Sequence, residues 1–380
     1  MKTILFAFDS FKESMSAETA CQMAKEGFSA VFGDRYLYRC FPMADGGEGT
    51  LDILLQCGEG TLKRVLVTGP YGKPVEAKIG LRHDKTAIIE SAQACGLMLT
   101  SIDERHPLTA TTFGLGEMIN AVLDEGCKKI LFTLGGSATC DGGFGMLLAL
   151  GAIPVWEEGF LQPQERSKQG IPQLLTHLKS LDLTPVYERL RGCELIIASD
   201  VTNPLLGENG AAAVFAPQKG ATVEEVAVLE EALAHLSRLV SPQSADQAGA
   251  GAAGGLGWAL LTLGASMESG ISLVMRETGF LDALSQAEMI FTGEGAIDGQ
   301  TVQGKVVSGI LQAAAPYHVP VIAFAGAIKG DLALLYQMGL TAAFSINDRI
   351  MPIEQALKEG PEAMKRTAEK VARLLASSKN

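Results

Sequence analysis

The sequence predicts an α/β protein: an open parallel sheet made from both chain ends, interrupted by a large inserted α/β domain. Apolar runs of strand length at 4–8, 36–41, 289–292, 319–324 and 342–346 are bounded by turn residues. The first four each lead into helical periodicity, near 16–32, 47–57, 303–315 and 331–338, and another helix covers about 361–376. All five strands lie near the two ends of the chain, and residues 61–280 between them have a different texture.

Strands alternating with helices pack as parallel βαβ units whose sheet is covered on both faces. The opening MKTILFAFDS has only five apolar residues between Thr3 and Asp9. That is too short for the apolar core of a signal peptide and suits a buried strand. The insertion begins with shorter runs at 62–68, 75–81 and 87–90, separated by GPYGKP and RHDK turns, which predicts an antiparallel meander. Further strands are expected at 130–134, 152–155, 195–198 and 213–215, and helices at 112–125, 222–240 and 253–264. The polar, aperiodic stretch 157–173 reads as a mobile loop. The expected domains are 1–60 with 281–380, and 61–280.

Composition narrows the function. With 380 residues, 47% of them hydrophobic, the chain can bury a large core and exceeds one ordinary domain. A net charge of -12 argues against a general nucleic-acid surface, so any anion site must be local. Seven scattered Cys without a CxxC pair read as reduced intracellular thiols. No uncharged apolar stretch approaches the ~20 residues that span a bilayer, so a cytoplasmic protein without membrane partners is expected. Glycine is in excess, 43 residues against a usual ~7%, and it gathers in a few places, as loops that approach a ligand closely require.

Those places follow predicted strands. Asp9-Ser10-Phe11-Lys12 follows 4–8, PMADGGEGT (42–50) follows 36–41, and GGSATCDGG (135–143) follows 130–134. SDVTNPLLG (199–207) follows 195–198, and GEGAIDGQTVQGK (293–305) follows 289–292. In open α/β sheets the carboxyl ends of the strands form the ligand crevice, so five such clusters predict one cleft between two domains. Glycines ahead of a helix offer backbone N–H groups to phosphate. Here Ser137 and Thr139 add hydroxyls, Lys305 adds a positive charge, and the carboxylates can hold Mg²⁺. Phosphoryl transfer needs little more.

Plainer readings stand beside these. The GxxxxGK at 299–305 lacks a P-loop's Ser or Thr, because Val306 occupies that position. GAGAAG (249–254) has the GxGxxG spacing but follows no strand, which favours close helix packing over dinucleotide binding. Asp45 and Glu48 could cap the next helix, Asp298 could be an N-cap, and Asp200 could form a turn before Asn203-Pro204. Asp9 and Lys12 could pair on a surface loop, and Cys140 reads as a packed small residue.

ADGGEGT, GGSATCDGG, DVTNPLLG with APQKGA (216–221), GAGAAGGLG and TGEGAIDGQTVQGK occur in this order, preceded by FDSFKESMSA. Together they resemble the bacterial glycerate kinase type I family over nearly the whole chain. The resemblance implies a discontinuous flavodoxin-like domain and an inserted domain related to restriction-endonuclease-like folds. It implies ATP- and Mg²⁺-dependent phosphorylation of D-glycerate at the 2-hydroxyl, in glycerate or glyoxylate catabolism. The nucleotide would lie on Gly135, Gly136, Ser137, Thr139, Asp141 and Gly142, and on Gly293, Gly295, Asp298 and Thr301. Lys305 would sit near the phosphates. Asp45, Asp200 and Glu294 are the metal candidates, and Asp9, Ser10, Lys12 and Lys219 the glycerate candidates. Either Asp45 or Asp200 would accept the hydroxyl proton.

Two positions depart from the family pattern: Cys140 stands where Asn is usual, and Gln169-Gly170-Ile171-Pro172 replaces a Gly-rich run. A homodimer is compatible with the sequence. The alternatives are a kinase of another short hydroxy acid and a non-catalytic two-lobed ligand-binding protein. A nicotinamide dehydrogenase fits less well, because no GxGxxG follows the first strand.

Overall fold

The computed structural model describes residues 2–47, 49–57, 59–158, 160, 172–298, 301 and 306–377. Its strands in chain order are β1 (Thr3–Phe8), β2 (Leu37–Cys40), β3 (Thr61–Thr68), β4 (Pro74–Leu81), β5 (Thr86–Glu90) and β6 (Lys129–Thr133). They continue as β7 (Ile153–Trp156), β8 (Leu178–Asp182), β9 (Glu194–Ala198), β10 (Ser266–Glu268), β11 (Ala287–Ile297), β12 (Val321–Ile328) and β13 (Leu340–Ser345). The chain divides into two compact units, Met1–Asp45 with Ile271–Asn380, and Gly46–Gly270.

In the first unit the sheet runs β13-β12-β11-β1-β2, with every pair parallel. Numbered within the unit this is the flavodoxin-like order 2-1-3-4-5, whose direction reverses between β1 and β11. β1 is buried along its whole length, as its unbroken apolar run requires. Phe6, Phe28, Phe291 and Phe324 meet in the core, with the Phe28 and Phe291 rings 4.3 Å apart. Helix Ala17–Phe32 starts where Ser16 accepts the Thr19 N–H. It packs so closely on the C-terminal helix Ile353–Ser377 that a Cβ at Gly27 would lie 2.3 Å from the Lys365 carbonyl.

The second unit carries a six-stranded sheet, β10-β9-β6-β5-β4-β3, and a separate β7–β8 hairpin. β3, β4 and β5 pair antiparallel, as the GPYGKP and RHDK turns indicate, while β5, β6, β9 and β10 are parallel.

Several expectations change. Residues 213–215 are helical, within Ala211–Phe215, where three consecutive alanines outweigh the short apolar run. β8 and β10 were not expected; β8 is largely exposed, and β10 has only three residues. The C-terminal helix begins well before 361 and continues through Pro361. Most of the loop expected at 157–173 lies outside the described residues. The chain leaves the first unit after Asp45, not at residue 60. Helix Thr50–Cys57 belongs to the second unit because the Glu90 carboxylate takes the Leu51 N–H and Leu55 fills the space over Gly80. The return comes at Ile271, whose side chain packs on Gly309.

Candidate functional site

In the first unit, candidate residues gather where the strand order reverses. Asp9 ends β1, and its N–H donates to the Gly293 carbonyl of β11 (3.0 Å). The Asp9 carboxylate accepts the Ser10 N–H at 2.6 Å. Backbone bonds from Phe41 to Phe6 and from Met43 to Phe8 tie the segment after β2 to β1 and deliver Asp45 to the same end of the sheet. Burial, the charge of Asp45 and, to a smaller extent, Glu294 push Asp9 from the ordinary 3.8 up to about 7, against the lowering hydrogen bond from Ser10. Asp9 therefore feels two further carboxylates at a switch point, where open α/β sheets bind ligands.

Glu294 corrects the loop boundary. The sequence suggests a glycine loop from Gly293, but β11 continues to Ile297 because Gly293–Ile297 pairs with β12. A Cβ at Gly293 would lie 1.8 Å from the Phe324 carbonyl, so this glycine serves strand packing. Glu294 is thus a strand residue, 8% exposed, and it accepts the Thr301 hydroxyl at 3.0 Å. That hydroxyl also accepts the Asp298 N–H at 3.1 Å. Thr301 is fully buried, and it braces Glu294 and the turn. Gly295 lies against the backbone of Phe11 and Lys12, and the Lys12 side chain is exposed. Lys305, Glu48 and most of the run 299–305 lie outside the described residues.

In the second unit the loop 135–143 follows β6, but only its front is open. Gly135 and Gly136 are exposed; Ser137, Thr139, Cys140, Asp141 and Gly142 are buried. Asp141 is scaffold. One carboxylate oxygen accepts the N–H and hydroxyl of Thr112 (both 2.8 Å) and the Gly145 N–H (3.1 Å), and the other accepts the Gly143 N–H (3.1 Å). Burial still pushes this carboxylate up, and these bonds partly offset it; they also cap helix Phe144–Ala149. Gly254 explains GAGAAG. Its carbonyl accepts the Gly142 N–H (3.0 Å), its φ is +71°, and a Cβ there would lie 2.1 Å from the Thr139 carbonyl.

Lys219 also differs from expectation. It is 2% exposed, and its ammonium donates to the Ser137 hydroxyl (3.0 Å) and the Thr139 carbonyl (2.7 Å). Burial lowers its pKa. Its contacts fix the shape of the loop, and a glycerate carboxylate would have to compete with them. Cys140 is buried, and desolvation pushes its thiol up to about 11, which makes it a packing residue. Asp200 is exposed two residues beyond the end of β9.

Sequence reasoning missed Glu90. This carboxylate ends β5, is 6% exposed, and accepts the Leu51 N–H (3.0 Å) and the Gln93 amide (3.2 Å). It anchors the start of the helix after ADGGEGT, and burial is the main influence raising its pKa. The available signal was a carboxylate closing the apolar strand TAIIE.

A model of the glycerate kinase family matches residues 4–376. The chain is 44% identical over 376 residues to a glycerate kinase of Bacillus subtilis (strain 168), covering 97% of this chain and 96% of the relative. It is 38% identical over 379 residues to a glycerate 2-kinase of Escherichia coli (strain K12), covering 98% of each. A crystal structure assigned as a glycerate kinase 2 from Salmonella typhimurium LT2 superposes with a TM-score of 0.87 at 39% identity, over 100% of this chain and 99% of that one.

Proposed function

The chain belongs to the glycerate kinase family, and from that premise we propose that it transfers the γ-phosphoryl group of ATP to the 2-hydroxyl of D-glycerate with Mg²⁺. The protein is a phosphotransferase acting on glycerate. The carrying observation is the carboxylate group of Asp9, Asp45 and Glu294 at the strand-order reversal, with Asp9 raised to about 7.

The residues fit Mg²⁺. Their donors are all oxygen, and a divalent cation would relieve the carboxylate repulsion that adds to burial in raising Asp9. Among the described residues no three His, Cys, Asp or Glu side chains form a complete metal site. Asp45 and Glu294 would hold it, with Asp200 the further candidate. Bound there, Mg²⁺ would neutralise charge on the transferring phosphoryl group.

The chain's own residues do the rest. The exposed backbone at Gly135 and Gly136 is proposed to take phosphate oxygens, with Lys219 holding the loop behind them. Ser10, Lys12 and Asp9 would orient glycerate. Asp45 or Asp200 would accept the proton from the attacking hydroxyl. No helix among the described residues is long and apolar enough to cross a membrane. All seven cysteines are unpaired, which supports a reducing, cytoplasmic setting.

A coupled ATP assay with D-glycerate, followed by ³¹P NMR of the product, tests the reading. The 2-phosphate is expected. The 3-phosphate would overturn the regiochemistry, and turnover only with another short hydroxy acid would overturn the substrate.

A further inference from the structure

We infer that a cavity of about 360 Å³ beside the β3–β4 turn receives the purine ring of ATP; this rests on the kinase reading above. Its wall is formed by Tyr71, Val75 and Leu99, and Thr100, Asp103 and His106 supply polar groups. An apolar wall with a few polar groups, in this volume range, is what small-molecule pockets usually present.

The cavity is built, not incidental. The Tyr71 hydroxyl accepts the His106 N–H at 3.0 Å, which fixes the ring across two loops. The Thr111 N–H donates to the Pro70 carbonyl at 2.8 Å, holding the turn against the helix that follows. The cavity is also continuous in structure with the phosphate loop. Leu97 donates its N–H to the Gly136 carbonyl at 2.8 Å and lines a smaller cavity of about 140 Å³ together with Gly135, Gly136 and Ser137. Leu97–Leu99 is a single 3₁₀ turn, and Leu99 at its far end lines the larger cavity. Leu97 and Leu99 are separated by about 4 Å of helical rise along this turn. With the triphosphate on Gly135 and Gly136, the base is proposed to lie past this turn, beside Tyr71.

Charge argues against glycerate as the occupant. Asp103 and Glu104 outnumber Lys73 among the charged residues lining the cavity, and the Lys73 ammonium lies 3.7 Å from the Glu104 carboxylate. An acidic rim repels a small carboxylate but accepts the N–H groups of a purine.

Isothermal titration of the full chain with ATP, and separately with tripolyphosphate, tests this on Tyr71→Ala and Leu99→Ser. Stacking and apolar contact with a base make a loss of about tenfold or more in ATP affinity the expected result, with tripolyphosphate binding unchanged. Leu99 is already 37% exposed, so Leu99→Ser decides the matter if Tyr71→Ala fails to fold. Unchanged ATP affinity, or equal weakening of both ligands, overturns the proposal. A wild-type chain that binds ATP but does not phosphorylate glycerate refutes the kinase reading alone, and the titrations still decide the pocket.

Discussion

Asp9 shows how one buried carboxylate couples the site to stability. Its folded pKa is raised from 3.8 to about 7, so its contribution to stability is fully present below 3.8 and is lost as pH rises through 7. Asp9→Asn removes that loss. In metal-free protein the variant should melt higher than wild type at pH 8, with little difference near pH 4; equal shifts at both would show that Asp9 is not strained. The proton acceptor is separable by substitution. Asp45→Asn or Asp200→Asn should lower kcat by about 10²–10⁴-fold if the residue is the general base, and near-wild-type turnover in both would exclude both. Lys219→Met strands the Ser137 hydroxyl and the Thr139 carbonyl. A loss of about 1–3 kcal/mol is expected, with KM rising for ATP and not for glycerate. A selective rise in the glycerate KM would return Lys219 to the substrate carboxylate.

At the scale of elements, the loop 135–143 depends on a neighbour far along the chain. Residues 135–143 show their glycines in the sequence, but what holds them is Asp141 on Thr112, Lys219 on Thr139 and Gly254 against the Thr139 carbonyl. Gly254→Ala meets both a left-handed φ and a backbone oxygen at 2.1 Å. Urea unfolding should register a loss of about 2–4 kcal/mol, with weaker ATP binding at temperatures where the fold persists. A neutral effect would mean the two segments separate at little cost. β11 is a similar case. GEGAI looks like a loop because of its glycines, yet pairing with β12 makes it a strand and turns Glu294 into a buried, braced acid.

For the whole molecule, two units with separate cores need not unfold together. Both tryptophans, Trp156 and Trp258, lie in the Gly46–Gly270 unit. Tryptophan fluorescence should therefore follow that unit alone, while far-ultraviolet circular dichroism follows both. Non-coincident thermal transitions are expected, and ATP should raise the fluorescence transition more. Superimposable curves would show the units to be one cooperative system.

The sequence by itself determined the parallel sheet from both chain ends, the antiparallel meander and the family. Unbroken apolar runs, turn residues and long ordered motifs are local signals that survive without coordinates. It also located the acidic and glycine clusters after their strands. Only the tertiary structure decided which of those residues are exposed and which are buried against other parts of the chain. Asp141, Thr301 and Lys219 look like site groups because their chemistry suits phosphate or carboxylate, but each is buried against protein partners: Thr112 for Asp141, Glu294 for Thr301, and Ser137 and Thr139 for Lys219. Asp9 acquires its raised pKa from burial first, with the charges of Asp45 and Glu294 adding to it. Burial and charge coupling depend on what the fold brings near, and residue type alone does not carry that information.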